Sequence, residues 1–177
     1  MPQPRRELLR DKIGLPGWGF LLFIPLVVLL SLYVLLVVVG RPHVVKGNSM
    51  FPTLKDGNRI LVVKYRFGNT PNRGDIVTFR DVKGDPEFLV KRVIAIGGDK
   101  LTFTDRRIIV NDKYTYFSSS TRVKSNFTTL LPDNAVFVLG DNESQSYDSR
   151  FFGPVPLENI TGHAVFVFWP PGDISTL

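Results

Sequence analysis

The chain has 177 residues, enough for one domain with a hydrophobic core and too few to require two. Its 22 Lys and Arg against 16 Asp and Glu give a formal charge of +6, but the basic residues are scattered, which favours a solvated surface, or a face near an anionic bilayer, over nucleic-acid binding. It has no cysteine, which excludes disulfides, thiolate nucleophiles and cysteine metal sites; His43 and His163, its two histidines, stand in no metal-ligand spacing, so neither a metal nor another cofactor is expected.

Residues 1–17 form a short basic N-terminus with Arg5, Arg6, Arg10 and Lys12. Residues 18–40 follow without a charge and are almost wholly Leu, Val, Phe and Ile. A helix needs about 20 apolar residues to cross a bilayer core. A secretory signal peptide has an apolar core of roughly 7–15 residues and then a small-residue cut site, whereas this run is longer and ends in Val39-Gly40-Arg41-Pro42. The segment is therefore expected to be a retained single-pass anchor. The cluster of positive residues ahead of it places the N-terminus in the cytoplasm and residues 41–177 outside the cell membrane.

Beyond residue 40 short runs rich in Val, Ile and Phe alternate with Gly, Pro, Asn and Asp. Strands are expected at Ile60–Lys64, Ile76–Arg80, Phe88–Ile96, Ile108–Val110, Val136–Leu139 and Ala164–Phe168. No segment holds helical periodicity over a dozen residues. The fold class is thus mainly β, an antiparallel β-sheet domain preceded by one N-terminal transmembrane helix. Residues 99–134 read as a short polar excursion, in which residues 111–134, with Ser118-Ser119-Ser120 at their centre, are a loop or small hairpin rather than a second core.

Two segments stand out for chemistry. In Gly47-Asn48-Ser49-Met50-Phe51-Pro52-Thr53-Leu54 a serine follows a glycine and precedes a proline, a turn that can expose a hydroxyl beside a backbone N–H. Alone it reads better as a plain turn serine. In Phe88–Ile96 strict alternation puts Leu89, Lys91, Val93 and Ala95 on one face and Val90, Arg92, Ile94 and Ile96 on the other. Lys91 then lies among apolar neighbours, where burial lowers an amine far below its usual pKa of about 10.4 and lets it take a proton from a serine. Alone, the alternative is a stem laid along the strand with its amine in water.

The two segments occur in order with Arg73-Gly74-Asp75-Ile76-Val77, Val90-Lys91-Arg92-Val93-Ile94-Ala95-Ile96-Gly97-Gly98-Asp99 and Gly140-Asp141-Asn142-Glu143-Ser144-Gln145-Ser146-Tyr147-Asp148-Ser149-Arg150-Phe151-Phe152-Gly153. With the anchor, these blocks resemble the type I signal peptidases, Ser–Lys dyad serine endopeptidases, over roughly residues 18–169. The resemblance implies Ser49 as nucleophile and Lys91 as general base for forming and hydrolysing an acyl-enzyme. It implies Ser146 as the residue that orients the amine, and Asp141, Asp148, Arg92 and Arg150 as the bracing charges. Gly47, Met50 and Pro52 would shape the substrate groove. The implied partners are membrane-bound preprotein signal peptides, cut after small residues at the outer membrane face, and the bilayer itself.

Some members carry a serine two residues before the nucleophile as an oxyanion donor; Gly47 occupies that position here. The family's Gly-Arg-Ala near the last strand reads Gly162-His163-Ala164, which raises a Ser49–His163–Asp148 triad as an alternative. Other readings are a processing peptidase dedicated to one substrate, and an inactive anchored domain that binds exported proteins without cutting them.

Overall fold

The computed structural model describes residues 17–65, 69–80, 88–117 and 126–177. It divides into two units, residues 1–39 and Gly40–Leu177. The first holds helix α1, Gly17–Val39, with Pro25 inside it. The side chains described in α1 run from Phe23 to Val34 and all are exposed, a helix apolar on every side. Among the described residues no helix is long and apolar enough to cross a membrane. The basic residues that set the expected orientation, and Ser118-Ser119-Ser120, lie outside the described residues.

The second unit is built almost entirely of antiparallel strands. They are β1 (Gly40–Val44), β2 (Arg59–Val63), β3 (Ile76–Arg80), β4 (Phe88–Ile96), β5 (Lys100–Thr104), β6 (Arg107–Val110), β7 (Tyr114–Phe117), β8 (Phe127–Leu130), β9 (Ala135–Leu139), β10 (Val155–Pro156), β11 (Ile160–Trp169) and β12 (Ser175–Thr176). One sheet runs β1-β2-β11-β3-β4-β9-β10, with β12 added to β11; a second runs β7-β6-β5-β8. The single helix described in this unit beyond 3₁₀ turns is α2, Ser149–Phe152, capped by the Asp148 side chain.

Within the expected polar excursion of residues 99–134, the described residues form the four strands β5 to β8. Leu101, Phe103, Ile108 and Val110 point one way and pack with Ile94, Ala95, Phe137 and Leu139 of the large sheet. Their alternating neighbours face solvent, and Thr102 and Thr128 pair across β5 and β8 at 3.1 Å. The described polar residues of these strands, such as Thr102 and Thr128, form the outer face of a sheet.

A second difference concerns β4. The pairing of β4 with β9 slips between Val93 and Ala95, a bulge at Ile94. Strict alternation ends there. Leu89, Val93 and Ile96 join Val77, Phe79 and Val136 in one cluster, while Ile94 and Ala95 turn together into another. Ala95 therefore leaves the face of Lys91, and Ile96 takes its place. Leu89 and Val93, the neighbours that matter for the amine, keep the expected face.

Candidate active site

Ser49 sits in the turn between β1 and β2. Met50 (1% exposed) and Leu54 (0%) sink into the core, and Leu54 N–H donates to Met50 O at 2.8 Å. Those two anchors hold the turn rigid and leave Ser49 half-buried at its edge. Gly47 enters the turn at φ 77°, left-handed backbone that glycine adopts without penalty, and its N–H donates to Asp56 Oδ1 at 2.7 Å. The N–H of Ser49 makes no hydrogen bond among the described residues.

From the far side, Asn142 N–H donates to Ser49 O at 3.0 Å. Gly140 lies against the same carbonyl and against Ser146 Oγ so closely that any Cβ there would overlap both. This glycine and the Asn142 amide are features that sequence reasoning did not single out. Gly140 opens the last sequence block, but only the close approach reveals its purpose.

Lys91 is 3% exposed and reaches across to the turn, its Nζ donating to Ser49 Oγ at 2.8 Å and to Val90 O at 3.1 Å. Burial lowers its amine from 10.5 to about 8, against an opposing pull from the Asp148 carboxylate. Asp148 is fully buried, but it is not a free charge. Arg150 grips it with Nε on Oδ1 and Nη2 on Oδ2, both at 2.8 Å, and Gly140 N–H donates to Oδ2 at 3.0 Å. A paired carboxylate holds the ammonium form of Lys91 less strongly than a bare one would.

Arg92 points to the opposite face from Lys91 and forks onto Asp141, with Nε to Oδ1 at 2.8 Å and Nη2 to Oδ2 at 2.7 Å. Its Nη1 donates to Gly74 O at 2.9 Å. Arg73 pairs in the same forked way with Asp99, which also accepts from Ile96 N–H and Asn111 Nδ2, each at 2.8 Å. These pairs tie separate sequence blocks into one frame, and Arg73–Asp99 was not anticipated.

Ser146 is buried beside this site, but its Oγ has no hydrogen-bond partner and does not reach Lys91 Nζ in this structure. Pro52 is exposed and lies outside the cleft. Met50 contributes to the cleft wall mainly from within the core. The cleft, about 240 Å³, runs past Ser49 and Lys91 between Val44, Leu89, Gln145 and Tyr147, with Phe88 at its edge. Tyr147 and Phe88 are walls that carried no signal in the sequence.

His163 lies elsewhere. Its ring packs tilted against Tyr65, with centroids 4.8 Å apart, its Nδ1 is buried without a partner, and among the described residues no hydrogen bond joins it to Ser49 or Asp148. The Asp148 carboxylate is engaged by Arg150 and Gly140, which leaves the Ser–His–Asp alternative without its acid.

Chemically, the arrangement couples a hydroxyl to a buried amine, with a free backbone N–H beside the hydroxyl. The family described as signal peptidase, peptidase S26, matches residues 17–169. The chain is 34% identical over 152 residues to thylakoidal processing peptidase 1, chloroplastic, of Arabidopsis thaliana, covering 77% of this chain and 44% of that one. It is 35% identical over 151 residues to signal peptidase I of Leptolyngbya laminosa, covering 78% and 73%. It is 35% identical over 164 residues to signal peptidase IB of Staphylococcus aureus, covering 78% and 84%. A solved signal peptidase I from Enterococcus faecalis is 26% identical, with a TM-score of 0.42 over 54% of this chain and 97% of that one. The chain spans less than half the length of the Arabidopsis relative.

Proposed function

Because this chain belongs to the signal peptidase family S26, we propose that it removes signal peptides from preproteins by serine acyl transfer, with Ser49 as nucleophile and Lys91 as general base. The observation that carries the mechanism is the 2.8 Å contact between Lys91 Nζ and Ser49 Oγ inside a pocket that lowers the amine to about 8. At pH 7 about one lysine in ten is then neutral, against about one in three thousand at 10.5.

In the neutral form the amine accepts the Ser49 hydroxyl proton as Oγ bonds to the scissile carbonyl carbon. The resulting oxyanion takes a hydrogen bond from the Ser49 N–H. The N–H of Gly47 cannot serve, since Asp56 holds it. The carbon–nitrogen bond breaks as Lys91 gives its proton to the leaving amine. Water then enters and attacks the acyl carbon as Lys91 takes its proton, and the bond from that carbon to Oγ breaks as Lys91 returns the proton to Ser49. Arg150 and Asp148 keep the charge around the amine balanced, Arg92 and Asp141 brace the frame, and the Val90 carbonyl holds the amine in direction. A cleft of about 240 Å³ walled by Tyr147 and Leu89 suits small side chains ahead of the cut.

Helix α1, with every described side chain apolar or small and exposed, serves as the single-pass anchor. It holds the β unit at the outer membrane face, and sharing a bilayer with a tethered preprotein raises the effective concentration of each. The direct contact between Ser49 and Lys91 argues against an inactive binding domain. The test is incubation of the detergent-solubilised full chain with a purified preprotein, followed by N-terminal sequencing of the product, beside Ser49→Ala. Cleavage after a small residue, abolished in the variant, is the expected result. An inert wild type on several preproteins, or an active Ser49→Ala, would overturn the reading.

A further inference from the structure

A second cleft, about 420 Å³, lies beside β1. Arg41 and His43 of β1, Lys64 just beyond β2 and Arg80 at the end of β3 line it, with Phe88 as an aromatic wall. Among the described residues of the lining, Glu158 is the acid set against the three cations Arg41, Lys64 and Arg80. Arg41, Lys64 and Arg80 are exposed, and among the described residues their side chains make no ion pair or hydrogen bond. Elsewhere in this unit forked arginine–carboxylate pairs are common: Arg73–Asp99, Arg92–Asp141 and Arg150–Asp148. Three unpaired cations around one concavity are a site for a compact anion.

The chain itself says which anion. Gly40 follows the last residue of α1 directly and opens β1. Arg41 is therefore two residues from the helix end, at most about 8 Å by covalent geometry, whatever the orientation of the β unit. The polar headgroup layer of a bilayer is about 5–8 Å deep on each side. If α1 spans the membrane, as the proposed function holds, Arg41 is confined to headgroup depth. Phe88 forms part of both this cleft and the one at Ser49. We infer that Arg41, Lys64 and Arg80 form a binding site for the phosphodiester of an anionic phospholipid headgroup.

The inference rests on the membrane-anchored reading, and its test reads binding rather than cleavage. The full chain is reconstituted into vesicles of phosphatidylcholine alone or mixed with phosphatidylglycerol, and lipid retained on the extracted protein is counted by native mass spectrometry. Retention of phosphatidylglycerol over phosphatidylcholine is expected. It should fall about fivefold for each of Arg41→Gln, Lys64→Gln and Arg80→Gln, stay unchanged for Lys113→Gln, and weaken in high salt. Equal retention of the two lipids, or a loss in Lys113→Gln as large as in the cleft variants, would overturn the site while leaving the peptidase reading intact. Inorganic phosphate that binds the cleft with no lipid preference would make it a free-anion site and overturn the lipid assignment. A chain that fails to incorporate into either vesicle would remove the anchor and the inference together. Loss of preprotein cleavage with lipid preference retained would count against the peptidase reading alone and support the site.

Discussion

Lys91→Met replaces the buried amine with an apolar chain of similar length, and its effect on stability follows from the burial of Lys91. The folded protein holds this amine at about 8, whereas the unfolded chain holds it near 10.5. Below pH 8 both states carry the proton, and the folded state bears the full cost of a desolvated ammonium. Between 8 and 10.5 the unfolded state binds more protons, so wild-type stability rises with pH. The gap from 10.5 to about 8, at roughly 1.4 kcal/mol per pH unit, comes to about 3 kcal/mol. The variant loses the contact with Ser49 Oγ, worth about 1 kcal/mol. It should therefore be more stable than wild type by about 2 kcal/mol at pH 7, or about 4–8 °C in Tm, and less stable above pH 10.5. Thermal unfolding of both proteins in the same detergent at a series of pH values reads the difference directly, because other titrating groups are common to both. A difference that stays constant from pH 6 to pH 10.5 would refute the claim that burial holds this amine down.

Further outcomes follow from the geometry around the dyad. Gly140→Ala drives a methyl group into Ser49 O and Ser146 Oγ and should lower kcat/KM at least about tenfold by displacing the nucleophile; a wild-type rate would mean the turn absorbs the shift. Gly47→Ser meets no atom within 4 Å but places a side chain at φ 77°, so unfolding should show a loss of about 1–2 kcal/mol, and unchanged stability would contradict it. Arg150→Gln strands the buried Asp148 carboxylate and should cost about 3–5 kcal/mol in thermal unfolding, with the kcat/KM profile of whatever folds moved to higher pH, since Asp148 would then pull harder on the Lys91 proton.

The parts of this account that were legible in the sequence are those written in local pattern. Each of the six expected strands coincides with a strand of the structure, because hydrophobic alternation and turn residues mark them. The nearness of Ser49 and Lys91 was legible only through the joint occurrence of several blocks, since neither segment alone outweighs its plain reading. What stayed hidden depends on contacts between distant residues. The bulge at Ile94 is set by pairing with β9, not by anything in β4 itself. The β5–β8 sheet looks like a loop because its outer face is threonine and charge, while its inner face fits Phe137 and Leu139 from another sheet. The grip of Arg150 on Asp148 joins two residues two positions apart, visible in the sequence as a pair of charges, but its effect on Lys91 appears only when the fold brings Asp148 near the amine.

The measurement that tests the central claim most directly is kcat/KM for preprotein cleavage against pH, wild type beside Lys91→Met. The account predicts a rise to half its maximum near pH 8, where the amine loses its proton, and loss of nearly all activity in the variant. A rate that climbs only toward pH 10.5, or a variant that keeps its activity, would contradict Lys91 as the base acting on Ser49.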